Sequence, residues 1–89
     1  MKYNARQMMR KQEEQRLHIQ SYKDALRAVN EATVFLLDRH LEWTEADVAT
    51  YNQAALNAAN KGLELARIIP PKMVYEIIQE VQKEFKEQS

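Results

Sequence analysis

From Ile19 onward, a mostly apolar set of residues returns at alternating steps of three and four: Ile19, Tyr22, Leu26, Val29, Thr33, Leu36 and His40. That spacing holds one seam of a helix toward a partner helix. Ala25, Ala32, Leu37 and Leu41 lie beside the seam and widen it into a core-facing stripe. Continued backward, the seam turns polar through Gln15 and Gln12 before reaching Met8. Nothing between Ala5 and His40 breaks a helix, so one helix is predicted across that span, with a length of roughly 50–55 Å. A compact globule of this chain length has a radius of gyration of about 12 Å. The helix therefore overhangs its own domain.

The first break falls at Leu41 to Val48. Thr44 is placed to cap a second helix, and Asp47, three residues on, stands in for the Glu or Gln of a capping box. Trp43 and Val48 flank the cap at hydrophobic-staple spacing, and Glu45 and Asp47 sit at the positive end of the helix dipole. A tight turn here folds the second helix, about Glu45 to Ile68, against the first as an αα-hairpin. Its inner face reads Val48, Tyr51, Ala55, Ala58 or Ala59, Gly62 or Leu63, then Ala66. These small residues leave room for Tyr22, Leu26, Phe35 and Leu36 opposite. Asn52, Asn57 and Asn60 mark the wet side. Pro70-Pro71 ends this helix and starts a third over about Pro71 to Glu87. Val74, Ile77, Ile78, Val81 and Phe85 share one face of it.

Composition agrees with an all-α reading. One glycine and two prolines in 89 residues are too few for the turns of a β or α/β fold. The chain reads as one domain: a helical arm over 1–18, a hairpin over 19–68 and an amphipathic helix over 71–87. A domain this small buries only about 60–65% of its unfolded surface. Without cysteine it has no disulfide or thiolate metal site to staple it.

Thirteen Lys and Arg balance thirteen Asp and Glu, so overall charge selects no partner. The distribution is uneven, because Lys2, Arg6, Arg10, Lys11 and Arg16 face only Glu13 and Glu14 in the arm. These five cations are candidate phosphate contacts. Tyr3 is the only aromatic among them, which gives no support to base stacking. The longest apolar run, Val34 to Leu37, is far shorter than a membrane span. The charged N-terminus is not followed by a secretory h-region, so the expected location is the cytoplasm.

Catalytic constellations are thin. His18 and His40 lie about 33 Å apart along one helix and cannot share a metal within one chain. Glu14 and His18 read as a surface pair, as do Lys23–Asp24 and Arg27–Glu31. Asp38 and Glu42 are two carboxylates without a cleft to shift their pKa. The lone glycine, Gly62, lies within a helix, so no phosphate loop exists. The expectation is a non-catalytic, cofactor-free interaction module. It self-associates, as a homodimer, and binds a further protein in a regulatory, inhibitory or assembly role. The face Val74, Ile77, Ile78, Val81 and Phe85 is the candidate contact surface. The alternative is a nucleic-acid-associated factor that uses the basic arm.

Overall fold

A computed structural model describes residues 5–39 and 42–88, with side chains from Met8 onward. Lys2, Tyr3, His40, Leu41 and the Arg6 side chain lie outside the described set. Three helices make up the fold: α1 Ala5–Arg39, α2 Glu45–Leu65 and α3 Pro71–Gln88, with no strand among the described residues. The all-α reading holds.

Thr44 takes an extended conformation (φ −101°, ψ 165°) and caps α2 through a reciprocal box. The Asp47 backbone N–H donates to Thr44 Oγ1 at 3.2 Å, and the Thr44 N–H donates to Asp47 Oδ2 at 3.0 Å. Trp43 makes a hydrogen bond that the staple spacing does not predict. Its ring is half exposed and its Nε1–H donates to the Leu36 carbonyl. That carbonyl belongs to the last described turn of α1, where helix carbonyls call on donors from outside the helix. Trp43 thus helps close the end of α1, and Val48 beyond the cap is partly exposed.

The second helix stops earlier than Ile68. Arg67 and Ile68 donate to the Glu64 and Leu65 carbonyls at 3.2 and 2.9 Å, a tightened final turn. The prolines that follow cannot continue the ladder. Pro70 instead accepts from Met73 and Val74 at 2.9 and 3.3 Å, which starts α3 with Pro71 in its first turn.

Contacts between the helices give their directions. Arg39 lies 3.7 Å from Asp47, and Lys61 Nζ donates to Ser21 Oγ at 2.6 Å, so α2 runs antiparallel to α1. Lys23 pairs with Glu80, and Arg27 with Glu84, each at 3.1 Å, so α3 runs parallel to α1. These pairs replace the expected Lys23–Asp24 and Arg27–Glu31 contacts; Arg27 reaches Asp24 at 3.2 Å instead. Glu76, Glu80 and Glu84 repel one another along α3 by sequence. The last two are drawn to cations on the neighbouring helix.

The core gathers Tyr22 and Ala25 of α1, Ala58 and Leu65 of α2, Ile69 of the connection, and Ile77 and Val81 of α3. Ile19, Leu26, Val74 and Ile78 pack around it half-buried. On α2 the inward line is Tyr51, Ala55, Ala58, Gly62, Leu65 and Ile69, again in steps of four and three. By apolar spacing alone the position after Ala58 is open between Gly62 and Leu63, and Ala66 falls inside. The structure takes Gly62 and then Leu65, which leaves Leu63 and Ala66 exposed. Leu37, Val48 and Phe35 are exposed as well, against the expected core.

Past this core, α1 projects alone. From Met8 to His18 every side chain is exposed except a half-buried Gln15. The described chain is accordingly elongated, 63 × 26 × 19 Å, with a radius of gyration of 16.6 Å. A compact chain of this length would give about 12 Å.

Candidate interaction surfaces

In this fold the candidate contact surface on α3 is a packing face. Ile77 and Val81 are buried, while Val74, Ile78 and Phe85 are half-buried. What remains open along it is a cleft of about 480 Å³ between α1 and α3. Val34, Val81 and Phe85 give it an apolar lining, and Asn30, Glu31 and Gln88 give it a polar one. Arg27 crosses the cleft to Glu84, and that hydrogen bond raises the guanidinium pKa further.

The basic arm is less uniform than its sequence. Arg16 grips Glu13 through two hydrogen bonds of 2.5 and 3.1 Å. The same contact lowers the Glu13 pKa and raises that of Arg16. Arg16 is thus locally neutralised, whereas Arg10 and Lys11 stand exposed on a helix clear of the bundle. The remaining two cations of the set, Lys2 and the Arg6 side chain, lie outside the described residues.

Residues with catalytic potential are dispersed. His18, Asp38 and Glu42 are each exposed. Among the described residues no three His, Cys, Asp or Glu side chains come together as a metal would require. No helix of the described chain is long and apolar enough to cross a membrane.

Two apolar surfaces went unread in the sequence. One lies at the hairpin tip, where Val34, Phe35, Leu37, Trp43 and Val48 are all exposed and Arg39 stacks 5.2 Å from the Phe35 ring centre. The other is a second stripe on α2: Ala49, Asn52, Leu56, Ala59, Leu63 and Ala66, every one exposed. Its steps are three and four throughout, offset by about 100° from the inward line. The signal was present in the sequence as the forks at Ala58 or Ala59 and at Gly62 or Leu63. Both branches of each fork are apolar, because α2 carries two seams rather than one.

The chain matches no family model, no curated protein and no solved structure.

Proposed function

We propose that this chain is a non-catalytic protein–protein interaction module that self-associates and serves a regulatory, inhibitory or assembly role in the cytoplasm. One observation carries the reading: among the described residues, more large apolar side chains are exposed than buried. Scattered exposed apolar residues are ordinary, but contiguous sets such as those on α2 and at the hairpin tip mark contact surfaces. The buried set, with only Leu65 and Val81 wholly enclosed among the large side chains, is small for an elongated cysteine-free chain. Association adds the missing burial. Because Ile77 and Val81 are already used within the chain, the contact surface lies away from the inner face of α3.

Sedimentation velocity from low to high micromolar concentration tests this. A dimer is expected, and a compact, stable monomer at every concentration overturns it.

A second reading has its own observation. The exposed Arg10 and Lys11 project on a free helix, where they could follow a phosphate backbone. Binding to a duplex or single strand would then weaken steeply between low and physiological salt. Binding that is absent at low salt removes this reading.

A further inference from the structure

We infer that a second copy of this chain docks on the outer stripe of α2, the two α2 helices lying antiparallel about a two-fold axis. This rests on the self-association proposed above and names the surface that carries it.

The stripe repeats every seven residues. Ala49, Leu56 and Leu63 form one row, while Asn52, Ala59 and Ala66 form the other. Large and small residues thus alternate along a single seam. Leu56 and Leu63 are 57% and 67% exposed, so the described chain leaves most of each uncovered. The flank beyond the stripe is polar: Thr50, Gln53, Asn57, Asn60 and Glu64.

The stripe complements itself in size. A two-fold axis between positions 57 and 58 sets Leu56 of one copy against Ala59 of the other, and Leu63 against Asn52. Ala49 then meets Ala66. Each leucine finds a smaller residue opposite, as knobs-into-holes packing of close helices requires. Asn52, the one polar residue on the stripe, faces Leu63 in this register and limits how tight the pair becomes.

Charge gives the same direction. Glu45 begins α2 and Arg67 follows its end, both exposed and both near the stripe. They are 22 positions apart, roughly 33 Å along the helix. An antiparallel pair brings Glu45 of one copy within reach of Arg67 of the other, twice over. A parallel pair sets Glu45 beside Glu45 and Arg67 beside Arg67, which repel. The stripe and the charges at its two ends therefore supply both halves of a fitting contact, which favours a second copy over a foreign helix.

Two measurements on the full chain decide this. Leu56→Glu with Leu63→Glu should weaken dimerisation by about 100-fold or more in sedimentation equilibrium. Both sites are exposed, so helicity by circular dichroism should be retained. Because the chain has no cysteine, single nitroxide labels can be placed cleanly without touching the leucines. An Asn60→Cys label should read about 15–20 Å to its counterpart, and an Ala46→Cys label about 35–40 Å. Short distances at both sites would show a parallel pair and overturn the inference. A dimer that persists undiminished in the double variant would place the interface elsewhere, leaving self-association intact. If the unaltered chain is a monomer, both proposals fall. Should the double variant unfold, the label distances alone still decide.

Discussion

Gly62 faces the ring of Tyr22 so closely that a methyl group on it would lie 3.1 Å from the Tyr22 Cε1 and Oη atoms. Tyr22 is 6% exposed and forms part of the core with Leu65, Ile69 and Ile77, so the ring has little freedom to retreat. The only glycine in the chain thus sits in the last turn of α2, where α1 and α2 meet, at a cost of up to about 1 kcal/mol of helix propensity relative to alanine. Gly62→Ala should fail to gain that amount, and Gly62→Val should lower stability by about 1–3 kcal/mol through overpacking. Denaturant midpoints check both. A full 1 kcal/mol gain in the alanine variant would mean that the contact is looser than the structure shows.

Burial pushes the Tyr22 phenol above its ordinary pKa of 10.0. The group's contribution to stability is therefore complete below about pH 10. It declines as pH rises from there through the folded-state pKa, since the unfolded chain loses the proton first. Tyr22→Phe should flatten that alkaline decline in melting temperature. An unchanged slope would show that the phenol is solvated.

The α2 cap supplies a prediction at the other end of the pH scale. Thr44→Ala should cost about 1 kcal/mol. Asp47 has its pKa lowered, first by the hydrogen bond from the Thr44 backbone N–H and also by the nearby Arg39 charge. Its contribution is present above about pH 4 and is lost as pH falls through the lowered value. Asp47→Asn should remove that part of the acid sensitivity, read as melting temperature against pH.

These caps were legible in the sequence because they depend on residues within one turn of each other. The start of α2, the Pro-Pro break and the uninterrupted first helix are all set by local chemistry of this kind. Phase along α2 was not, since Gly62 and Leu63 both satisfy an apolar spacing and only the Tyr22 ring opposite decides between them. Glu80 and Glu84 looked repulsive for a similar reason: their partners, Lys23 and Arg27, lie on another helix. A one-dimensional pattern shows like charges at helical spacing but not the cations that face them. The second stripe on α2 was hidden by the assumption that a helix carries one apolar seam.

Trp43 is held by one hydrogen bond to the Leu36 carbonyl and keeps half its surface in water. Trp43→Ala should therefore cost about 2 kcal/mol, the hydrogen bond together with the buried half of the ring, instead of the 3–5 kcal/mol of a fully buried ring. Trp43→Phe should cost about 1 kcal/mol, because it keeps most of the ring and loses the donor. Thermal melts separate the cases, and a large loss confined to the alanine variant would put the ring in the core.

Arg10 and Lys11 make no contribution to the bundle. Replacing both with Gln should leave the melting temperature almost unchanged, as expected for exposed charges. A marked fall would show that the projecting part of α1 is covered, which an intermolecular contact with the arm would also produce.

Self-association is the claim on which the functional reading stands, and it has a direct thermodynamic signature. When folding and dimerisation are one event, the dimer is favoured by mass action, so the melting temperature rises with protein concentration. Melts of the full chain from about 1 to 100 μM should show that rise, with sedimentation equilibrium reporting twice the 10.5 kDa chain mass. A melting temperature independent of concentration, together with a mass of one chain throughout, would contradict the account.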